Sequence, residues 1–294
     1  MWILGPTTIV VMSIFVAKFV SYAKQAWWAG QVAEARKSRL STIVTARDQV
    51  RFWNQEGPFA SAWLSAIPNR SLKTILSDID FRSRCRFWLG LPLLTDGVPL
   101  PACPECREAI DPFGDYFVFC RRNGFTQRHN TLRDAWSQVL ASAGIRHKKE
   151  VSVPDGDRPA DILLLGWDKG VDVCVDFTIT SPTSLDCSPL NPENSRRHLN
   201  EAEKVKRVKQ SPSCDAMVWA HHPAAYSPWG GQGAAAKGLL HELLKRATAD
   251  QQGWPKVQMI LELRQNLSLA LAREVAKQLA MRFRVLESME ATGQ

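Results

Sequence analysis

Apolar residues recur with two different periods along this chain, and the two periods predict its elements. Over residues 171–180 the alternation is strict. Val171, Val173, Val175, Phe177 and Ile179 share one face, and Asp172, Cys174, Asp176, Thr178 and Thr180 share the other. That pattern predicts a strand with one face in a core. Shorter strand-like runs cover 150–153 and 161–165, and 166–170 reads as a turn. Elsewhere the helical period dominates. Leu132, Ala135, Trp136, Val139, Leu140 and Ala143 predict a helix over 131–143, with Thr131 and Asp134 as a capping box and Gly144 as its stop. Further helices are predicted over 191–210, 234–249 and 257–286, the last two packing on the sheet. Residues 214–220 read as another strand, followed by a loop holding His221-His222-Pro223 and Ser227-Pro228-Trp229-Gly230-Gly231.

Before residue 100 the pattern is helical as well. Ser77 with Asp80 opens a helix through Phe81, Cys85 and Trp88, and Gly90-Leu91-Pro92 closes it. A short apolar segment over 58–68 ends at a proline, and 31–55 is polar, basic and helical in pattern. Residues 2–17 carry no charge, and Lys18 is the only charge before Lys24. That length approaches a bilayer span of about 20 residues, but Gly5-Pro6 and Lys18 interrupt it. The segment 1–24 therefore reads as a membrane span through residues 2–23, as a buried helix, or as the start of a chain truncated from a larger reading frame. The membrane reading is not the favoured one. The organisation expected is an apolar segment (1–24), a helical N-terminal region (25–100), a cysteine knuckle (101–125), an α/β core (126–250) and a C-terminal helix (251–294).

Composition narrows the class. Of 294 residues, 45% are hydrophobic and 22% charged, which excludes a disordered chain. The net charge of +8 favours an anionic partner, nucleic acid being the commonest. Seven cysteines, three of them within residues 103–120, do not fit a small secreted disulfide scaffold and point to a reducing compartment.

Candidate chemistry lies between Cys103 and Lys206. Cys103-Pro104-Glu105-Cys106 presents two thiolates at the spacing of a tetrahedral zinc turn, and Cys120 adds a third. A fourth ligand is missing. Tyr116 stands where a knuckle histidine would fall, and Asp111, Asp115 or His129 are the candidates to complete the shell. Arg128-His129-Asn130 leads into the 131–143 helix, where backbone N–H groups favour phosphate, and Arg128 is a candidate bidentate clamp. Asp161 and Asp176, on neighbouring strands, can share one Mg²⁺ through oxygen ligands. On the basic helix, Leu199, Ala202, Lys206 and Lys209 form a stripe beside Val205 and Val208, so that Lys206 turns toward the sheet. Glu150 is a further carboxylate, and His221-His222 reads as decoration at a strand edge.

This ordered set resembles the restriction-endonuclease-like domain at the C-terminus of site-specific non-LTR retrotransposon proteins. The resemblance rests on Cys103, Cys106 and Cys120, then Arg128-His129-Asn130, Pro159-Ala160-Asp161, Asp176 with 14 residues between the aspartates, and Lys206. Ser61-Ala62-Trp63-Leu64 and Pro228-Trp229-Gly230 also look like recurrent features of such tails. The resemblance implies an α/β, PD-(D/E)XK fold, a mixed sheet flanked by helices. It implies Mg²⁺-dependent DNA nicking that exposes a 3′ end for target-primed reverse transcription, with zinc in the knuckle. Asp161, Asp176 and Lys206 would be catalytic, Asp161 and Asp176 would hold Mg²⁺, and Arg128, His129 and Asn130 would contact DNA. Retroelement RNA is a further partner, and the compartment would be nuclear or otherwise intracellular. Three departures stand out: Tyr116 for histidine, Ala160 between proline and aspartate, and Thr178 where simpler relatives keep the lysine of Asp-x-Lys. Lys206 must then supply that charge. No Tyr/Phe-x-Asp-Asp polymerase motif precedes the tail, so a catalytically decayed nucleic-acid-binding remnant is the alternative.

Overall fold

The alternating segment is the third of four strands in a computed structural model of the chain. The structure describes six positions between Trp27 and Arg39, then residues 44–70, 74–93, 102–120 except 104, 122, 124–154, 158–183 and 194–292, with side chains over 197–281 in the last stretch. The membrane expectation for residues 2–23 falls outside the described residues. Among those described, no helix is long and apolar enough to cross a membrane.

Residues 1–45 and 46–294 separate into two units. In the first, the described positions at 27, 31, 34, 35, 38 and 39 are helical and exposed. The second runs α1 (Ala46–Gln55), a 3₁₀ turn (Ala62–Ser65), α2 (Asp78–Leu89), α3 (Asp115–Phe119), α4 (Phe125–Ser142), β1 (His147–Val151), β2 (Ala160–Asp168), β3 (Val171–Ile179), α5 (Asn194–Asp215), β4 (Ala220–Tyr226), α6 (Ala234–Ala247) and α7 (Gly253–Thr292). The fold is therefore mixed α/β, and its sheet is mixed too. The order is β1-β2-β3-β4, with the first two pairings antiparallel and β3–β4 parallel.

The two faces of β3 meet different helices. Val173, Val175 and Phe177, with Ile162 and Leu164 of β2, pack into the main core against Leu132, Trp136, Val139 and Leu140 of α4 and Leu239, Leu240, Leu243 and Leu244 of α6. The Trp136 and Phe177 rings stack at 5.6 Å. On the opposite face Leu163 and Cys174 pack with Cys214 of α5. So α5 covers the face that carries Asp176. The C-terminal helix differs from expectation: α7 packs on α2, α3, α4 and the 3₁₀ turn rather than on the sheet.

Several predicted elements shift: the first strand lies over 147–151 rather than 150–153, and residues 166–168 of the expected turn belong to β2, which leaves the turn to Lys169 and Gly170. The helix containing Arg128-His129-Asn130 begins at Phe125, not Thr131, because Gly124 supplies a left-handed N-cap (φ 69°) with no side-chain cap to advertise it. Residues 214–219 are not a strand. Helix α5 runs through Pro212 to Asp215, its last turn anchored by buried Cys214, and the strand occupies 220–226 instead. Pro223 is tolerated there because β4 is the sheet edge. Ser77 does cap α2, accepting the Asp80 N–H at 3.2 Å, and Gly90 ends it in the left-handed region (φ 73°).

After β4 the Ser227–Gly231 turn folds over the N-terminal half. Trp229, fully buried, stacks on Phe87 at 5.0 Å, and the Pro228 carbonyl accepts from the buried Arg84 guanidinium at 2.8 Å. Gly230 lies at φ 91°, and a Cβ there would stand 2.7 Å from Ala60 Cα. Both the left-handed backbone and the contact exclude a side chain. Gly230→Ala is expected to lower stability by about 2–4 kcal/mol. Denaturant unfolding reads this as a lower midpoint at unchanged slope, and an unchanged midpoint would refute the tight seat.

Candidate active site

The register of β2 and β3 places the two aspartates side by side. Ile162 pairs with Val175 and Leu163 with Cys174, so Asp161 lies across from Asp176 on the face that α5 covers. Their carboxyl groups are within hydrogen-bonding reach of each other. Lys206, on the inward side of α5, stands 3.0 Å from both oxygens of Asp176, donating to Oδ1. From α4, His129 Nε2 donates to Asp161 Oδ1 at 2.9 Å, and the Phe177 N–H donates to Asp161 Oδ2 at 2.6 Å. Asp161, Asp176, Lys206 and His129 thus form one cluster at an end of the sheet.

The two carboxyls are not equivalent. Burial alone would raise Asp161, but the His129 hydrogen bond and charge, the Phe177 N–H and Lys206 hold it below the ordinary carboxylate range. Burial pushes Asp176 up to about 6; Lys206 opposes the rise and the neighbouring Asp161 adds to it. Its Oδ2 is buried beside the Lys206 ammonium, 3.0 Å away. A proton shared by the pair therefore resides on Asp176.

The rest of the tripeptide plays a different part from the one expected. Arg128 is 1% exposed. Its Nη1 donates to the Val118 carbonyl at 2.7 Å and to Gln278 Oε1 at 3.0 Å, and its guanidinium lies over the Phe125 ring. This corrects the phosphate-clamp expectation: the side chain pins α4 to α7 and cannot reach DNA. The N-terminal phosphate cradle is corrected too, since Arg128 N–H already bonds Gly124 O inside the helix at 3.0 Å. Asn130 Oδ1 accepts from Arg133 at 3.3 Å, and Arg133 also pairs with Glu150, which takes that carboxylate away from the aspartates. His221 and His222 leave β4 on opposite faces. His222 donates to the Ala235 carbonyl at 2.9 Å, while burial, with nearby Arg207, pulls His221 down to about 4.

The pattern gave no sign of Glu203. On α5 Leu199, Glu203 and Cys214 are buried, and Ala202, Lys206 and Gln210 are among the half-buried positions, whereas Val205, Val208 and Lys209 are exposed. Glu203 is 4% exposed and accepts three backbone N–H groups, from Ala225 at 3.2 Å and from Ala235 and Ala236 at 2.9 Å. Asn200 accepts a fourth, from Ala234, at 2.9 Å. Helix α5 thereby caps the N-terminus of α6 and grips β4, fixing the turn from which Lys206 projects. Gly233 fits this contact, since a Cβ there would lie 2.2 Å from Glu203 Oε1.

The cysteine cluster is separate from the carboxylates. Cys103, Cys106 and Cys120 have sulfurs within 4.8 Å of one another and can hold a metal ion; no other such cluster occurs among the described residues. The Cys103–Cys120 and Cys106–Cys120 sulfurs are 3.9 and 3.8 Å apart. Burial opposes ionisation of Cys106, yet the hydrogen bond from Tyr116 brings its thiol down to about 7, while burial pushes Cys120 up to about 11. No family model and no curated protein matches the chain.

Proposed function

We propose that the chain is a Mg²⁺-dependent DNA endonuclease of the PD-(D/E)XK type, derived from a non-LTR retroelement, with a zinc-type ion in its cysteine cluster. One observation carries the reading: two strand carboxylates, one of them with a raised pKa, converge with a lysine ammonium on one face of a mixed sheet. The donor set fits magnesium. It is all oxygen, and both carboxylates are largely sheltered on the face that α5 covers. Asp161 and Asp176 would hold the ion, which supplies positive charge at the scissile phosphate when bound. Lys206 keeps a second positive charge beside Asp176, where it neutralises phosphate and orients the attacking water. His129 and the Phe177 N–H fix Asp161 in one orientation. Exposed Arg146 and Lys148 at the β1 edge, with Lys204, Arg207 and Lys209 on α5, suit the phosphate backbone.

The test is nicking of supercoiled plasmid by the purified chain in Mg²⁺ and in chelator. Nicking is expected only with Mg²⁺, rising with pH through about 6 as Asp176 loses its proton. The sign follows from the raised pKa: below it Asp176 is neutral and a poor ligand. Salt-sensitive DNA binding with no nicking at any pH would instead establish the non-catalytic remnant.

A further inference from the structure

The cysteine cluster needs a fourth ligand, and the residues that sequence offered for it are committed elsewhere. The Asp111 carboxylate accepts the backbone N–H groups of Phe113, Asp115 and Tyr116 at 2.8, 3.1 and 2.6 Å. Asp115 pairs with Arg47, Nη2 to Oδ1 at 3.0 Å. His129 is bonded to Asp161. Tyr116 is not diverted in this way. Its Oη lies 2.5 Å from Cys106 Sγ, and its side chain is more than nine-tenths buried. Helix α3 explains this placement. Tyr116 and Cys120 are four residues apart across one turn, which puts both on the same side, facing the Cys103–Cys106 turn.

The spacing of the sulfurs has room for a metal. A zinc ion with bonds of about 2.3 Å in a tetrahedron sets its sulfurs about 3.8 Å apart. The two separations given above match that value.

We propose that Tyr116 Oη is the fourth ligand of a zinc-type dication held by Cys103, Cys106 and Cys120, so that the chain carries a three-cysteine, one-tyrosine centre. This rests on the zinc half of the function proposed above and is independent of its nuclease half. Binding releases four protons to solvent, three from thiols and one from the phenol, and no electron is transferred. The four anionic ligands outweigh the dication. Arg122, which donates to the Glu105 carbonyl at 2.9 Å, offsets part of that charge. A tyrosine ligand also explains how the cluster can be complete without the knuckle histidine.

The test titrates the full chain, prepared metal-free under reducing conditions, with Zn²⁺ and then with Co²⁺. One equivalent is expected, with thiolate-to-cobalt absorption and the red-shifted ultraviolet band of a phenolate. Tyr116→Phe should lose the phenolate band and bind at least about tenfold more weakly. Tyr116→His should bind tightly without that band. If one equivalent binds with no phenolate band, and Tyr116→Phe binds equally well, the tyrosine ligand is overturned and the zinc site stands with water. If no metal binds, both are overturned. Should Tyr116→Phe fail to fold, the wild-type spectrum decides by itself.

Discussion

Asp176→Asn should abolish Mg²⁺-dependent nicking, lowering its rate by about 10³-fold or more, while DNA binding in chelator changes little. The magnitude follows from what the residue would supply. A metal ligand at the reacting phosphate contributes several kcal/mol of charge stabilisation, and each 1.36 kcal/mol is a factor of ten. The substitution keeps size and removes charge, so the packing around it is preserved. It should even relieve strain of an electrostatic kind. Because the folded pKa is raised to about 6, ionising Asp176 opposes folding: stability falls as pH rises from the ordinary carboxylate range through 6. Asp176→Asn escapes that fall. A variant that nicks poorly yet is no less stable than wild type at pH 8 separates a catalytic role from a structural one. Equal nicking by variant and wild type would sink the assignment. Lys206→Ala should be milder, about 10²-fold, because a positioned charge can be partly replaced by water and by neighbouring cations.

The sequence made the carboxylates legible and left their surroundings dark, for physical reasons. Strict alternation over 171–180 needs only a period of two, and it placed Asp176 on the face opposite Val173, Val175 and Phe177, as the structure has it. Pairing Asp161 with it rested on the two strands being neighbours across a short turn, and the register itself came only with the β2–β3 ladder. Arg128 shows the opposite failure. An arginine beside histidine and asparagine reads as a phosphate ligand, and only the contact with α7, 150 residues away in sequence, reveals a buried strut. His221-His222-Pro223 read as loop, whereas a proline is compatible with a strand at a sheet edge, and the edge is a property of topology. Tyr116 was visible as a departure from a pattern. That its hydroxyl lies against the Cys106 thiol required the turn of α3.

Glu203 is the residue whose local sequence was most misleading, and its removal should be the most damaging to the fold around the site. Among Lys204, Lys206, Arg207 and Lys209 it reads as one acid on a solvated basic helix. It is instead buried, with three backbone N–H groups converging on its two oxygens. Glu203→Ala leaves those donors without partners in a space too sheltered for full hydration, at roughly 1–3 kcal/mol each. Water entering the vacated volume recovers part of this, so a net loss of about 3–5 kcal/mol is expected. At about 2–4 °C per kcal/mol for a chain of this size, the melting temperature should drop by roughly 10 °C or more. Glu203→Gln should fall between, since its amide oxygen still accepts while its NH₂ faces donors. The effect should extend to the chemistry. Glu203 and Lys206 are one turn apart on α5, and the grip on β4 and on the start of α6 sets that helix against the sheet. Below its lowered melting temperature, Glu203→Gln should therefore nick more slowly at an unchanged Mg²⁺ requirement. If Glu203→Ala melts within 2 °C of wild type, the carboxylate is hydrated in solution and α5 is held by its apolar contacts alone, through Leu199 and Cys214.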